Sequence, residues 1–331
     1  MNLSSFDYHL PNELIALRPS RPRDSSRLLV VNKRTKEISI TIFKNIVDYL
    51  SPIDLLIFNN TKVDPLLLNV KDESNKNREI LLEKRINLNT WSVLTKNPKK
   101  TKIFFDDELT GSLYYKNNQW QVSFDSHYEN VVSKYGKMPI PPYIKRDSDD
   151  FDKIDYQTIF ASKSGSIAAP TAGLHFSNDL MASIKNNGIQ TEYITLHVGL
   201  GTFLPIKTES ISNHQMHKER FFVDKKLIRT IEEDNKRIIS IGTTTLRAIE
   251  SVGVDKDLLG KWSETDLFIK DGFNFNFIDG LLTNFHLPKS TLLVLVSAFL
   301  GYELTMKCYE TAIKEKFRFY SYGDAMLIIN S

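Results

Sequence analysis

The segment 282–290 is the densest group of reactive side chains in this 331-residue sequence. It places Asn, His, Lys and Ser in a predicted strand-to-helix loop, just before an apolar helix. Two further loops each present one histidine, His175 before a helix cap and His197 at the end of an alternating strand. A histidine in such a loop can act as a general base, a general acid or a hydrogen-bond donor. With His286, these residues form a first pool of acid–base candidates.

A second kind of site is indicated at Gly242–Thr245. The predicted strand 238–241 runs directly into this glycine and three threonines, and a helix follows. Free backbone amides at a helix start suit a carboxylate or a phosphate. An ordinary helix capped by threonine would have the same sequence, so both interpretations stay open.

The pair His217 and Glu219, with His214 nearby, could be a catalytic pair or part of a metal site. The sequence contains no H-E-x-x-H pattern, and His175, His197 and His217 are spaced about 20 residues apart, which is not a metal-ligand spacing. We therefore expect no metal. A metal-dependent hydrolase that uses these histidines remains the alternative enzyme class.

Two basic segments could contact phosphate groups. Segment 18–27 holds four arginines between prolines and serines, and segment 96–102 holds four lysines. A solvated charged loop is the default interpretation of such runs, and a phosphate-binding arm is the functional one. Because the formal net charge is only +3, any nucleic acid has to be bound by a local patch of this kind. A non-catalytic RNA-binding module is therefore a further alternative.

Composition places the chain among globular proteins, with 41% hydrophobic and 25% charged residues. The single cysteine excludes an intrachain disulfide. The first residues lack the cationic start and apolar core of a signal peptide. The longest apolar run, 292–300, has about half the length that a membrane span needs. We expect a cytoplasmic protein with no membrane partner.

The pattern of elements predicts an α/β class plus a β domain: a discontinuous α/β sandwich domain with a small inserted β-barrel. Residues 1–61 and 150–331 are assigned to the α/β domain, with largely parallel strands and with Ser177 as a helix cap. Residues 62–149 are assigned to the barrel, because they contain about six short strands separated by turn signals.

Eight motifs follow one another along nearly the whole chain: 23–28 (RDSSRL), 58–63 (FNNTKV), 141–144 (PPYI), 170–176 (PTAGLHF), 197–203 (HVGLGTF), 242–245 (GTTT), 282–290 (LTNFHLPKS) and 321–326 (SYGDAM). Taken in this order, they closely resemble the S-adenosylmethionine:tRNA ribosyltransferase-isomerases of queuosine synthesis. One departure is Arg220, which stands where the family usually has the first residue of an aromatic pair.

The resemblance implies a specific reaction. The ribosyl part of S-adenosylmethionine is transferred to 7-aminomethyl-7-deazaguanine at the wobble position of a tRNA and isomerised, which gives epoxyqueuosine and releases adenine and methionine. S-adenosylmethionine is then consumed as a substrate, and no cofactor is expected. The implied partners are tRNA and S-adenosylmethionine, and a monomer is expected.

The motif residues supply the expected site. The candidate catalytic residues, which the sequence does not rank, are His175, His197, His217, Glu219 and His286. The candidate substrate-binding residues are Arg23, Asp24, Arg27, Asn60, Thr61, Thr171, Gly173, Gly199, Gly201, Thr202, Thr243, Thr244, Thr245, Asn284, Lys289, Ser290, Tyr322 and Asp324.

Overall fold

The computed structural model describes residues 2–105, 109–199, 206, 208, 210–233 and 236–330. The chain divides into two compact units. The large unit comprises 1–62, 143–145 and 157–331, and the small unit comprises 63–142 and 146–156. The predicted domain limits of 62 and 149 differ from these at the second boundary, where the chain passes between the units more than once.

The large unit contains a nine-stranded sheet with helices and loops on both faces. Its strands are β1 (Arg27–Asn32), β2 (Ile38–Ile42), β3 (Asp54–Asn59), β12 (Gln190–Leu196), β13 (Glu219–Phe222), β14 (Arg237–Ile241), β15 (Ser263–Thr265), β16 (Gly280–Asn284) and β17 (Ala325–Ile329). Two short strands, β4 (Thr61–Val63) and β11 (Lys163–Ser166), pair with each other outside this sheet. The order is β15-β13-β12-β3-β14-β16-β17-β1-β2.

The sheet is mixed. Among the described residues, four consecutive strands of this order are parallel to one another: β12, β3, β14 and β16. Strand β17 is parallel to β1. The other pairings, including β16 with β17, are antiparallel. The prediction of largely parallel strands is therefore right for β12, β3, β14 and β16 and for the β17–β1 pair, and wrong for the β16–β17 pair and for the strands at both edges. The predicted fold class is confirmed.

The helices of the large unit are α3 (Asn178–Asn186), α4 (Lys225–Glu233), α5 (Thr243–Val254), α6 (Thr291–Leu300) and α7 (Tyr302–Lys314). As predicted, Ser177 caps α3, because its Oγ accepts a hydrogen bond from the Leu180 amide at 3.1 Å. The predicted helix after β2 is a 3-10 helix, Phe43–Tyr49. Its buried residues Phe43 and Ile46 have the i, i+3 spacing of that tighter helix.

Both faces of the central sheet are buried. Along β3, Leu55 and Ile57 pack into one hydrophobic cluster, while Leu56 and Phe58 pack into the other. Successive side chains of a strand point to opposite faces, so an uninterrupted apolar run is what a strand covered on both sides requires. The loops that follow such strands are held in place by this rigid layer.

The small unit contains a closed barrel with the order β10-β7-β6-β5-β8-β9. Its elements are β5 (Leu67–Asp72), β6 (Asn77–Arg85), β7 (Thr90–Leu94), β8 (Thr101–Phe104), β9 (Thr110–Lys116), β10 (Gln119–Phe124), α1 (Tyr128–Tyr135) and α2 (Asp152–Asp155). Alternate residues such as Leu68, Ile80 and Val122 are fully buried and fill the interior. The six predicted strands therefore form the predicted barrel.

A buried carboxylate connects α5 to the segment before β16. Glu250 is fully buried, and its two oxygens accept hydrogen bonds from the backbone amides of Asn276, Phe277 and Ile278 at 2.8, 3.1 and 3.1 Å. Removing the carboxylate leaves three backbone donors without this partner; the Ile278 amide is buried and the other two are partly buried. A buried donor without a partner is costly.

We therefore expect Glu250→Ala to lower the free energy of unfolding by about 3 kcal/mol or more. The measurement is urea denaturation at constant pH. Glu264→Ala serves as the control, because the Glu264 side chain is 62% exposed and lies 3.9 Å from the Lys218 ammonium. A Glu250→Ala change no larger than that of the control would show that the carboxylate does not hold this segment.

Candidate functional site

A pocket lies in the large unit where β14 and β16 end. Its lining is mainly apolar with a few polar side chains, which is the usual form of a small-molecule site. In α/β sheets ligands bind beyond the carboxyl ends of the strands, and this pocket has that position. Of the predicted site residues, the lining includes Thr171, Thr243, Thr244, Asn284, His286 and Ser290.

One wall of the pocket is the start of α5. Gly242 joins β14 to this helix with a φ of +95°, a conformation that favours glycine. The first backbone amides of a helix have no partner within the helix, so this wall offers hydrogen-bond donors and a positive dipole end. Thr243 and Thr244 line the pocket here, whereas the Thr245 hydroxyl donates to the Ile241 carbonyl at 2.9 Å.

A second part of the lining carries His286. Its Nε2 lies 2.8 Å from the Thr283 hydroxyl, and its backbone amide donates to the Tyr309 hydroxyl at 2.9 Å. The ring is partly exposed at the pocket, and desolvation lowers its pKa to about 3. It is therefore neutral near pH 7. Ser290 follows in this part of the lining and caps α6, because its Oγ accepts from the Leu293 amide at 3.2 Å.

Asn284 lines the pocket and connects the Thr171 segment to the Tyr320 segment. Its Nδ2 donates to the Tyr320 carbonyl at 3.2 Å and lies 3.1 Å from His175 Nε2. Its Oδ1 accepts from the Thr171 hydroxyl at 3.1 Å. The amide is thus bonded on both of its sides.

His175 is behind the wall rather than in it. It is 4% exposed, its Nδ1 lies 2.8 Å from the Ser26 hydroxyl, and its ring stacks on Phe43 with centroids 4.9 Å apart. Burial and the nearby cations Arg318 and Arg23 lower its pKa to about 3. A neutral, enclosed ring of this kind contacts no ligand directly.

The structure does not bring the other acid–base candidates into this pocket. His197 lies 2.8 Å from the Thr61 hydroxyl through Nδ1 and stacks on Trp262 with centroids 5.1 Å apart. Its pKa is lowered to about 4, first by burial and then by Arg220. Arg220 itself lies over the Trp262 ring, 4.5 Å from its centroid.

His217 and Glu219 are close in sequence but differ in surroundings. His217 is exposed, whereas Glu219 is 4% exposed and forms a buried ion pair with Arg247. Glu219 also accepts from the Gly199 amide at 3.1 Å. Within the described residues, no group of three or more His, Cys, Asp or Glu side chains is arranged to hold a metal ion.

The arginine segment is held by the protein's own carbonyls. Arg23 donates to the Gln157 carbonyl at 2.6 Å, and Arg27 donates to the Glu315 carbonyl and lies over the Phe317 ring. The neighbouring Asp24 accepts from the Ser177 hydroxyl. Each of these side chains therefore has a structural role, whereas the sequence predicted a substrate-binding role for it.

Several other predicted binding residues hold loops together. Asn60 accepts from Thr195 Oγ1 at 2.7 Å, and Asp324 is buried and accepts from the Arg27 and Arg318 amides. A side chain at Gly173 would come within 2.7 Å of Phe160. Glycine is needed there for close packing.

Four predicted substrate-binding residues remain: Lys289, Tyr322, Gly201 and Thr202. Lys289 forms a half-exposed ion pair with Asp7 at 2.5 Å, and Tyr322 is 2% exposed in the interior. Gly201 and Thr202 lie outside the described residues.

The sequence reasoning missed Tyr143, Tyr320 and Ser321, which all line the pocket. The Tyr143 hydroxyl bonds the Ser321 hydroxyl and accepts from the Ser321 amide at 3.1 Å. The motifs 141–144 and 321–326 contain two of these residues, so a signal was present. Tyr322, which was predicted from the second motif, is not part of this lining.

No single helix among the described residues is both long and apolar enough to cross a bilayer. Only α6 and α7 together meet that test, and they are bent by 116° relative to each other.

Comparison with known proteins agrees with this architecture. The family described as "Queuosine biosynthesis protein" matches residues 3–328. A protein of Sulfurihydrogenibium sp. (strain YO3AOP1) is 47% identical and covers 99% of this chain and 100% of its own, and one of Staphylococcus epidermidis (strain ATCC 12228) is 43% identical with the same coverage. Both are named S-adenosylmethionine:tRNA ribosyltransferase-isomerase.

A solved structure is similar as well. The crystal structure of the S-adenosylmethionine tRNA ribosyltransferase from Thermotoga maritima has a TM-score of 0.56 and 33% identity, covering 98% of this chain and 100% of its own. The architecture of this chain, a mixed α/β sheet with an inserted barrel and a pocket at the strand ends, is thus that of a class of tRNA-modifying transferases. The chain is a member of the queuosine biosynthesis protein family.

The buried His175 generates a prediction on pH. Its pKa is about 3 in the folded chain and about 6.5 in an exposed histidine. Between these values the unfolded chain binds the proton and the folded chain does not, so stability falls as the pH is lowered below about 6.5. We expect His175 to contribute up to about 1.4 kcal/mol of lost stability per pH unit.

The measurement is urea denaturation between pH 7 and 4.5, in the wild type and in His175→Gln. The wild-type slope with pH should be the steeper of the two by that amount. His9→Gln, at an exposed histidine, should keep the wild-type slope. Equal slopes for the wild type and His175→Gln would mean that His175 is protonated in the folded chain.

Proposed function

We propose that this protein transfers the ribosyl moiety of S-adenosylmethionine to 7-aminomethyl-7-deazaguanine at the tRNA wobble position and isomerises it. The products are epoxyqueuosine in tRNA, adenine and methionine. S-adenosylmethionine is consumed as a substrate, and the reaction uses no other cofactor. A tRNA-modifying reaction of this kind belongs in the cytoplasm. The observation that carries the proposal is the pocket at the ends of β14 and β16, in a chain that aligns over its full length with enzymes of this name.

The pocket offers complementary groups for S-adenosylmethionine. The start of α5 presents backbone amides that the helix itself does not use, and these suit the methionine carboxylate. The Thr171 hydroxyl lies nearby in the same lining. Apolar lining residues such as Val198 and Phe285 can cover the purine and the ribose. A mostly apolar cleft with a few placed polar groups is the usual form of a small-molecule site.

His286 is the candidate for proton transfer, because it is the predicted acid–base histidine that lines the pocket. The sulfonium acidifies the neighbouring 5′ C–H, and the first step removes that proton. A neutral imidazole can accept it at pH 7. A pKa of about 3 makes the ring of the free protein a weak base, so substitution of His286 is the direct test of this role. The adjacent Thr283 hydroxyl fixes the ring through Nε2.

The test is incubation with S-adenosylmethionine and tRNA that carries 7-aminomethyl-7-deazaguanine, with adenine release and the tRNA adduct measured together. We expect one adenine per modified tRNA, and we expect His286→Gln to lower the turnover by at least about 10-fold. The exposed His9→Gln variant is the matched control.

The alternatives have distinct results in the same assay. Adenine release without an adduct contradicts the transferase proposal. Loss of activity on chelation would favour the metal-dependent hydrolase, and tRNA binding without adenine release would favour the RNA-binding module. Full activity of His286→Gln would remove that residue from the chemistry.

The tRNA needs a basic surface, and the barrel offers one. The lysines Lys100, Lys102 and Lys116 are exposed and border a concave surface that also holds Tyr115 and Trp120. Tyr115 is 57% exposed, and the two aromatic rings have centroids 5.5 Å apart. Exposed aromatic rings flanked by cations bind unpaired nucleotides, because the rings stack on bases and the cations contact phosphates. We name these five residues the barrel patch.

We expect Lys100→Ala/Lys102→Ala to weaken tRNA binding and to lower the slope of log K against log salt by about 1 for each phosphate that the variant no longer neutralises. The measurement is a binding titration at several salt concentrations. Arg21→Ala/Arg23→Ala is the comparison, because Arg23 is already bonded to the Gln157 carbonyl. An unchanged slope in the lysine variant and a reduced slope in the arginine variant would assign the tRNA to the arginine segment instead.

A further inference from the structure

The proton positions around Asn284 follow from one contact. A backbone carbonyl can only accept a hydrogen bond, so the Asn284 atom that lies 3.2 Å from the Tyr320 carbonyl is the NH2 group. The same NH2 group faces His175 Nε2 at 3.1 Å, and this nitrogen must therefore accept. His175 then carries its proton on Nδ1, which donates to the Ser26 hydroxyl at 2.8 Å.

The other side of the Asn284 amide is equally determined. With the NH2 group directed to Tyr320 and His175, Oδ1 is left for Thr171, 3.1 Å away. An amide oxygen only accepts, so the Thr171 hydroxyl proton is directed to it. The lone pairs of the Thr171 oxygen remain, on a residue that is partly exposed and lines the pocket. In this pocket Thr171 is therefore an acceptor and not a donor.

His175 is held so that this arrangement is stable. Its ring stacks on Phe43 at an interplanar angle of 26°, and it belongs to the same 3-10 helix as Thr171, residues Thr171–His175. Enclosure and two nearby cations keep the ring neutral, and only the neutral ring can accept the Asn284 proton. A protonated His175 would place two donors face to face.

We infer that His175 is a positioning residue, which acts through Asn284 to hold the Thr171 hydroxyl as a hydrogen-bond acceptor for an N–H or O–H group of S-adenosylmethionine. This inference rests on the proposed function, because it takes the pocket as the S-adenosylmethionine site. It assigns to His175 a role other than the acid–base role expected from its type. It also gives the pocket a means of selection: a ligand that presents a lone pair at this point meets an acceptor and is disfavoured.

S-adenosylmethionine has three kinds of donor that Thr171 could bind. They are the methionine ammonium, the ribose hydroxyls and the adenine amino group. The position of Thr171 favours the ammonium, because the neighbouring Ala172 lies close to Gly242 at the start of α5. A Cβ atom built on Gly242 would be 3.6 Å from the Ala172 Cβ. A carboxylate at that helix start would bring the ammonium of the same amino acid close to Thr171.

The experiment measures equilibrium binding of S-adenosylhomocysteine, which lacks the sulfonium and does not react. Thr171→Val keeps the shape and removes the acceptor, and we expect it to raise Kd by about 10-fold. Thr171→Ser restores the hydroxyl and should return Kd to near the wild-type value. Thr305→Val is the matched control, because its hydroxyl bonds the Gly301 carbonyl within α7, away from the pocket. Equal Kd values for the wild type and Thr171→Val would overturn the inference.

The donor is identified with analogues of S-adenosylhomocysteine that lack the amino group of the amino acid, one ribose hydroxyl, or the adenine amino group. One of these analogues lacks the donor that bonds to the Thr171 hydroxyl. For that analogue Thr171→Val should not raise Kd further, because the interaction is already absent. If Thr171→Val weakens every analogue by the same factor, the hydroxyl has only a structural role and the inference is wrong.

The role of His175 is tested by two substitutions. His175→Gln offers an amide oxygen to the Asn284 NH2 group and should keep Kd within about 3-fold of the wild type, whereas His175→Leu offers no acceptor and should raise Kd. The effect of Thr171→Val should then be smaller in the His175→Leu background than in the wild type. Additive effects would overturn the positioning role.

Failure of this inference can be told from failure of the proposed function. If the wild type binds neither S-adenosylhomocysteine nor S-adenosylmethionine and releases no adenine, the function is wrong and the inference falls with it. If the wild type binds and reacts while the Thr171 variants are unaffected, only the inference is wrong.

Discussion

The hydrogen bond from the Asn284 amide to the Tyr320 carbonyl is the contact on which the pocket depends. It joins the end of β16 to the turn before β17, and it fixes which side of the amide donates. From this one choice follow the tautomer of His175 and the direction of the Thr171 hydroxyl. The interaction is inside the protein, where an unmatched donor or acceptor is costly, so alternative proton arrangements are strongly disfavoured.

The sheet explains why these groups meet at all. Strands β14 and β16 run parallel, so their carboxyl ends and the helices that follow them are side by side. The loop before α3 reaches the same edge and contributes Thr171 and His175. Apolar clusters on both faces of the sheet hold the backbone, and the polar chain through Asn284 is thereby kept at fixed distances.

Many motif residues have structural contacts that the sequence did not reveal. Asp324 accepts from two backbone amides, Glu219 pairs with Arg247 inside the protein, and Gly173 allows the Phe160 ring to approach. Such residues are shared by a family for the same reason as residues that contact a substrate, since replacing either kind disables the protein. Type and motif alone therefore could not separate the pocket lining from its supports.

The sequence by itself determined the family, the α/β class with an inserted barrel, the Ser177 cap and the loops that carry the pocket. These features depend on local patterns: alternation along a strand, turn residues, and the order of motifs. Only the tertiary structure decided that His286 and Ser321 belong to the pocket lining, whereas His175 and Tyr322 do not. Those outcomes depend on which side chains from distant segments meet, and burial then sets their protonation, because desolvation penalises charge.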